Sequence, residues 1–103
     1  MKVKKDGYQF DLMGVYEDEV WIIEVKTKFL MSKKQVDEML KGLENWRKNN
    51  PGKNFVYMLL TLTGYKEGLG RYIARKIKSM GGKAIIFNDE KTRKFLGKFG
   101  YEV

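Results

Sequence analysis

The sequence predicts an α/β protein built on a three-layer mixed β-sheet, with an antiparallel N-terminal hairpin, parallel central strands and helices on both faces. Two observations predict this fold class. Residues 8–27 contain two apolar runs around a polar turn, which is typical of a β-hairpin. The rest of the chain alternates amphipathic segments of helical period with short apolar runs, which is the pattern of β-α units with parallel strands.

Length and composition predict a single domain, residues 1–103, because a chain of this size supports one hydrophobic core. Hydrophobic residues make up 43% of the chain and aromatic residues 14%, so a disordered chain is not expected. No apolar run approaches the roughly 20 residues that span a bilayer. The N-terminus lacks the apolar stretch of a signal peptide and the chain has no cysteine, so we expect a cytoplasmic protein without membrane or disulfide partners.

The first elements are the strand-like segment MKVKK and the hairpin that follows it. If Val15 and Val20 close the turn, the strand register places Asp11 opposite Glu24, whether the loop is counted as two residues or four. Cross-strand partners have Cβ atoms roughly 5 Å apart, and like charges at that distance destabilise a sheet. The register therefore predicts that a cation compensates the two carboxylates.

Two cations are candidates for this role. Lys26 follows Glu24 by two residues and shares its face of the strand, with Gln9 opposite Lys26. A divalent ion such as Mg²⁺ or Mn²⁺ is the other candidate, because such hard cations take carboxylate oxygens as ligands.

The strand that carries Glu24 and Lys26 is apolar on both faces before it reaches them, as expected of a central strand. Val20 and Ile22 begin one face, and the other carries Trp21, Ile23 and Val25. Charges enter only at the far end of the strand. We therefore expect Glu24 and Lys26 to lie where a core strand ends at a pocket. Charged groups at such places are often functional, although structural ion pairs also occur there.

This arrangement resembles the PD-(D/E)xK, or restriction-endonuclease-like, superfamily of nucleases. The resemblance covers residues 8–87 as a topology, and its motif is limited to Asp11 with Glu24-Val25-Lys26. It implies a restriction-endonuclease-like core and an enzyme that hydrolyses phosphodiester bonds in DNA with Mg²⁺ or Mn²⁺. It further implies that Asp11 and Glu24 bind the metal, that Val25 offers its backbone carbonyl, and that Lys26 positions or activates the attacking water.

The chain departs from the family pattern at its N-terminal end. Many members carry a further acidic residue on a helix before the first strand, whereas this sequence begins with MKVKK. Two alternatives to a nuclease therefore stay open. One is a catalytically inactive nuclease-like module that binds nucleic acid or a protein partner. The other is an assembly domain in which Asp11, Glu24 and Lys26 form only a buried ion-pair cluster.

Composition narrows the possible chemistry. The chain has neither Cys nor His, which excludes thiolate nucleophiles, His general bases and the usual tetrahedral zinc site. Lys and Arg number 21 against 13 Asp and Glu, and the resulting net charge of +8 favours polyanionic partners such as DNA. Abundant Lys and Glu are also typical of thermophile proteins, so charge alone does not decide between these explanations.

A first helix is predicted to begin after Ser32, whose spacing to Gln35 indicates a capping box, and to end at the turn sequence NNPG. Its inner face carries Val36, Met39, Leu40, Leu43 and Trp46. Gln35 also matches a glutamine that some nucleases of this superfamily carry after the E-x-K motif, although the capping role is favoured. Gln9 and Gln35 are thus the candidates for contacting the metal-ligating side chains without binding the metal themselves.

The next elements are a nearly continuous apolar strand at residues 54–62, predicted as the sheet centre, and a helix from about residue 67 to residue 80. The outer side of that helix carries Arg71, Arg75 and Lys78. Together with Lys28 they are the candidate nucleic-acid-binding residues, although a solvated helix face has the same pattern.

A short strand at residues 83–87 and a last helix through Leu96, capped by Asn88 or Asp89, complete the pattern. The tail KFLGKFGYEV is rich in apolar side chains. It is expected to pack on its own core or to pair with a second subunit, so a homodimer through the tail is a further prediction.

Overall fold

A computed structural model describes the backbone of residues 3–5 and 8–10 and both backbone and side chains of residues 11–100. The strands are β1 (Val3–Lys5), β2 (Tyr8–Phe10), β3 (Leu12–Tyr16), β4 (Glu19–Lys26), β5 (Asn54–Thr61) and β6 (Lys83–Phe87). The helices are α1 (Lys33–Asn49), α2 (Leu69–Ser79) and α3 (Asp89–Gly97). The predicted order of elements is confirmed from β4 onward, whereas the first strand of the predicted hairpin is divided into β2 and β3.

The main sheet has four strands in the order β3-β4-β5-β6. β3 is antiparallel to β4, and β4, β5 and β6 run parallel. β1 and β2 form a separate antiparallel pair. The chain is therefore an α/β protein with a mixed sheet, an antiparallel hairpin and parallel central strands, as the sequence predicts.

The β3–β4 hairpin closes through a two-residue turn. Glu17 and Asp18 both have positive φ, at 48° and 64°, which is the geometry of a type I′ turn and matches the twist of the flanking strands. Val15 lies opposite Val20 as predicted, and the same register continues to Leu12 opposite Ile23. The turn thereby sets which residues of β4 share a face with those of β3.

The hairpin ladder ends earlier than the sequence suggests. The chain bends at Asp11, and β2 then pairs with β1, which places Gln9 opposite Lys4. The prediction that Gln9 lies opposite Lys26 is therefore wrong. The physical reason is the bend at Asp11, which separates β2 from β3, so the ladder with β4 ends at Leu12. The side chain of Gln9 lies outside the described part of the chain.

Helices α1 and α2 form a layer on one face of the main sheet. The Ser32 hydroxyl accepts a hydrogen bond from Gln35 N at 3.2 Å, and Gln35 Oε1 accepts one from Met31 N at 2.7 Å, so the predicted cap is present. Side chains from both helices and from the facing strands share one buried cluster. Its largest members are Val36, Leu40, Leu43 and Trp46 of α1, Ile73 and Ile77 of α2, and Ile22, Phe55, Tyr57 and Leu59 of the sheet.

A polar contact also joins the two helices. Asp37 of α1 accepts hydrogen bonds from Tyr72 at 2.6 Å and from Lys76 at 2.8 Å, both on α2. The hydrogen bond from Lys76, followed by that from Tyr72, lowers the pKa of the Asp37 carboxyl. This contact lies on the outer side of the layer and fixes how α1 and α2 sit relative to each other.

Burial differs between the two central strands. β5 is buried from Phe55 to its end, as predicted for the sheet centre. β4 is buried on the helix-facing side only, while Trp21 and Ile23 are half-buried and Val25 is 40% exposed on the other side. The expectation that β4 is covered on both faces is therefore wrong, because the third helix packs against β5 and β6.

Helix α3 begins at the Asn88 cap, whose side chain accepts a hydrogen bond from Lys91 N at 2.9 Å. Phe95 of α3 packs edge-to-face on Phe87 of β6, with ring centroids 5.5 Å apart. Phe87 pairs with Leu60, whose side chain alternates to the face away from α1 and α2, so α3 lies on that face. Phe99 contacts Phe95 but stays 64% exposed. Tyr101 and Val103 lie outside the described residues, and the homodimer stays a prediction.

Among the helices that the structure describes, none has the length and apolar character needed to cross a lipid bilayer.

We predict that Gly82→Ala destabilises the protein. A Cβ at Gly82 would overlap the ring of Phe55, which is 1% exposed and cannot withdraw because it packs on Trp46 with ring centroids 5.6 Å apart. We expect a loss of about 1–3 kcal/mol in the free energy of unfolding, measured by urea denaturation.

Gly42→Ala in α1 is the matched control, because a Cβ there meets no atom within 4 Å. Alanine should raise helix stability at this position by about 0.5–1 kcal/mol. Equal effects of the two substitutions would contradict the packing described for Gly82.

Candidate functional site at the carboxyl edge of the sheet

The carboxyl ends of β4, β5 and β6 lie at one edge of the main sheet, because these strands are parallel. Each is followed by a loop that leads into a helix at the same edge. Ligands of open α/β sheets bind in the crevice outside these strand ends. Glu24 and Lys26 belong to the last three residues of β4 and therefore lie at this edge.

Glu24 is held by a tyrosine that comes from the core. It pairs with Leu59 on β5, and Tyr57, two residues earlier on β5, shares its face of the sheet. The Tyr57 hydroxyl donates a hydrogen bond to Glu24 Oε2 at 2.6 Å, while the tyrosine itself is only 1% exposed. A rigid buried ring thus fixes one oxygen of the Glu24 carboxylate.

Burial raises the pKa of the Tyr57 phenol well above its ordinary value, and the charge and hydrogen bond of Glu24 raise it further. The negative charge of Asp11 acts in the same direction. Tyr57 therefore remains a proton donor at neutral pH. Both carboxylates belong to the same end of the hairpin, because Asp11 immediately precedes β3 and Glu24 is near the end of β4.

Asp11 lies at the bend immediately before β3, one residue beyond the end of the hairpin ladder. Its Oδ2 accepts a hydrogen bond from Val25 N at 2.6 Å. In a continued antiparallel ladder a main-chain carbonyl of the preceding strand would accept that bond. Because the chain turns away at the bend, the Asp11 carboxylate takes the place of the missing carbonyl.

Lys26 lies on the same face of β4 as Glu24 and lines a groove of about 310 Å³ at the N-terminal end of α1, called here the α1 groove. The other residues that line this groove are Lys28, Phe29, Leu30, Gln35, Glu38 and Met39. Gln35 reaches the groove while its Oε1 holds the cap of α1. The structure thus brings Lys26, Lys28 and Gln35 to one groove.

The predicted basic stripe on α2 is at a different place. Arg71, Arg75 and Lys78 are exposed on this helix. Arg71 lines a wider concavity of about 820 Å³ beside β6, called here the α2 concavity, and Arg75 and Lys78 line neither hollow. Lys28 is the member of the predicted nucleic-acid-binding set that lies near the candidate site.

The chemistry of Asp11 and Glu24 fits a divalent cation. Mg²⁺ is typically bound by one or two carboxylates, with waters and substrate phosphate completing its shell. Among the described residues no group of three or more Asp, Glu, His or Cys side chains could hold a metal ion. Any ion at this site would therefore depend on two carboxylates and on oxygens from the backbone, water and substrate.

Two residues of the site were not identified from the sequence. Tyr57 lies in a run of apolar residues and was assigned to the core, although it carries a polar atom in an otherwise apolar part of the strand. Phe29 follows the E-V-K segment and was given no role. The register of β5 against β4 identifies the first, and the shape of the α1 groove identifies the second.

Comparison of the chain with protein-family models, curated proteins and solved structures finds no match.

We predict that Tyr57→Phe lowers the free energy of unfolding by about 1–3 kcal/mol at pH 7, because the ring still fills its space but the hydrogen bond to a carboxylate is lost. The pKa of Tyr57 is raised in the folded protein, so the unfolded chain loses its phenol proton first as pH rises above the ordinary value of 10.0. The stability advantage of the parent should therefore be complete below that pH and shrink above it.

Urea unfolding of both proteins from neutral to alkaline pH measures this difference. Tyr16→Phe removes a hydroxyl from a tyrosine that is 65% exposed, and it should leave stability unchanged at pH 7. A difference between parent and Tyr57→Phe that grows at alkaline pH would show that the Tyr57 phenol is not the donor described here.

Proposed function

We propose that the chain is a metal-dependent nuclease of the PD-(D/E)xK type, with a restriction-endonuclease-like core, that hydrolyses phosphodiester bonds in DNA with Mg²⁺ or Mn²⁺. One observation carries the proposal. Asp11 accepts a hydrogen bond from the N–H of Val25, the residue after Glu24, so the two carboxylates belong to the end of one hairpin, and Lys26 shares the strand face of Glu24 beside a groove at the carboxyl edge of the sheet. Paired carboxylates next to an ammonium group are the functional set that the superfamily motif requires.

Asp11 and Glu24 would supply carboxylate oxygens to the cation, and Val25 would add its carbonyl. The Val25 N–H points toward Asp11, and the N–H and C=O of one strand residue point to the same side, so its carbonyl is directed to the side of Asp11 as well. The chemistry that a divalent ion supplies when bound is polarisation of the phosphate and a lower pKa of water.

The other residues of the site orient the two carboxylates and stabilise negative charge on the substrate. Tyr57 and the Val25 N–H each hold one oxygen of a carboxylate, so both acidic groups are oriented before substrate binds. The Lys26 ammonium would orient the attacking water and stabilise the negative charge that develops on the phosphate. Net charge of +8 and the lysines of the α1 groove support a polyanionic substrate.

A second function is favoured by a specific observation. Asp11 Oδ2 and Glu24 Oε2 already accept short hydrogen bonds from protein groups, so both carboxylates have a structural role without any metal. A nuclease-like module that binds nucleic acid without cleaving it would need no more than this. Steep salt dependence of DNA binding without cleavage in Mn²⁺ would favour this function.

We predict that the parent protein nicks supercoiled plasmid in Mn²⁺ and that Lys26→Ala, Glu24→Gln and Asp11→Asn each slow cleavage by about 100-fold or more. The amide oxygens of Gln and Asn can still accept the hydrogen bonds from Tyr57 and Val25, so these variants should stay folded. Circular dichroism checks the fold, and gel electrophoresis measures cleavage.

Lys53→Ala is the matched control, because it removes one exposed lysine just before β5, at the opposite edge of the sheet. It should cleave at the parent rate. The nuclease assignment is wrong if Glu24→Gln and Asp11→Asn cleave as fast as the parent.

We also predict that Mn²⁺ stabilises the parent without DNA. An ion that binds the folded protein alone adds about 2.7 kcal/mol at 100 times its dissociation constant, which is readily measured as a shift in Tm. Glu24→Gln should lose most of this shift, because it replaces one of the two proposed carboxylate ligands. An equal shift in both proteins would place the bound ion elsewhere.

A further inference from the structure

Phe29 is a large apolar side chain that is exposed to 44% of its surface in the wall of the α1 groove. It follows Lys28 in the chain, and Lys26 lines the same groove. Exposed aromatic rings beside cationic side chains bind unpaired nucleotides, because the ring stacks on a base while the cations contact phosphates. Burial in the core does not account for this ring, since nearly half of it faces solvent.

The main chain on both sides of Phe29 is fixed to the loop that follows β5. Four hydrogen bonds make this connection: Leu62 N to Lys26 O at 2.9 Å, Thr63 Oγ1 to Thr27 O at 2.9 Å, Leu30 N to Gly64 O at 3.3 Å and Lys66 N to Leu30 O at 2.8 Å. Leu30, next to Phe29, is buried in the core. The ring is therefore presented by an ordered segment, which reduces the entropy lost when a ligand binds.

One side of the ring rests on the neighbouring loop. Gly64 has φ +85°, and a Cβ added to it would lie 3.9 Å from Phe29 Cε1. At this distance the Cβ would be in ordinary van der Waals contact with the ring, so one edge of Phe29 faces the loop at Gly64. Phe29 as a whole is 44% exposed and lines the α1 groove.

Charge in the groove favours an anionic ligand on one side. Lys26 and Lys28 line it together with a single carboxylate, Glu38. On the Gly64 side, Asp89 carries a negative charge that is paired with Arg93 at 3.9 Å. Phosphates are therefore expected beside the two lysines rather than beside Asp89.

We propose that the α1 groove binds a single-stranded segment of DNA, with one unpaired base stacked on Phe29 and the adjacent phosphates held by Lys26 and Lys28. In a continuous duplex both faces of each base are already stacked, so the ring has no base face to contact. This inference rests on the proposed function and specifies its substrate as DNA with a single-stranded end, flap or loop.

The test measures binding without cleavage. Fluorescence anisotropy in EDTA compares a labelled single-stranded oligodeoxynucleotide with the duplex of the same sequence. The parent should bind the single strand more tightly. Phe29→Ala should weaken that binding by about fivefold to a hundredfold and change duplex binding little, whereas Phe29→Tyr should restore it. Phe99→Ala, on a more exposed phenylalanine outside the groove, is the matched control and should have no effect.

A second readout reports the stacking contact directly. Phe29→Trp should lose indole fluorescence when the single strand is added, after subtraction of the signal that Trp21 and Trp46 give in the parent. Phe99→Trp should not. Unchanged fluorescence of Phe29→Trp at saturating oligonucleotide would overturn the stacking contact.

The outcomes separate this inference from the nuclease proposal. Loss of single-strand binding in Phe29→Ala, with no cleavage by the parent in Mn²⁺, supports the groove and rejects the nuclease. Cleavage by the parent, with Phe29→Ala binding the single strand as the parent does, rejects the groove and keeps the nuclease. Tighter binding of the duplex or of the equivalent RNA strand overturns the inference, and so does the absence of binding to any of these probes.

Discussion

The parallel pairing of β4 with β5 is the constraint on which the candidate site depends. It sets Ile22 opposite Tyr57 and Glu24 opposite Leu59. The buried Tyr57 can therefore donate its hydrogen bond to Glu24 near the end of β4. A register shifted by one residue would turn Tyr57 to the other face and leave Glu24 without this donor. Core packing and the orientation of the carboxylate are therefore produced by the same strand pairing. The burial of Tyr57 among α1, α2 and the sheet makes that pairing costly to change.

Asp11 links the site to the edge of the sheet. Its carboxylate accepts the Val25 N–H that the diverging β2 leaves without a carbonyl, so the residue both ends the ladder and faces the neighbourhood of Glu24. This double role explains how two acidic groups are tolerated at one hairpin end, since each accepts a hydrogen bond that is strengthened by its charge. It also gives the nuclease proposal and the binding-module alternative a common structural basis, because the same contacts serve either function.

The sequence predicted the order of elements from β4 onward, the register beside the hairpin turn, the α1 cap and the buried central strand. These features depend on local patterns: turn residues, capping residues and apolar periodicity. Prediction failed where the tertiary structure decides the outcome. Gln9 was predicted opposite Lys26 because the alternation of residues does not reveal the bend at Asp11, which ends the ladder at Leu12. The outer face of β4 was expected to be covered because apolar alternation does not show how far α3 extends. The roles of Tyr57 and Phe29 were not predicted, because the role of each depends on a neighbour distant in sequence.

The loops that follow β4 and β5 remain paired beyond the strands, through the parallel bridge between Leu30 and Tyr65 and the hydrogen bonds around it. Leu30 lines the α1 groove, and Tyr65 lines the α2 concavity. A lining residue of one hollow is therefore joined through the main chain to a lining residue of the other. The order of both hollows therefore depends on one short main-chain ladder, because the same hydrogen bonds hold a lining residue of each.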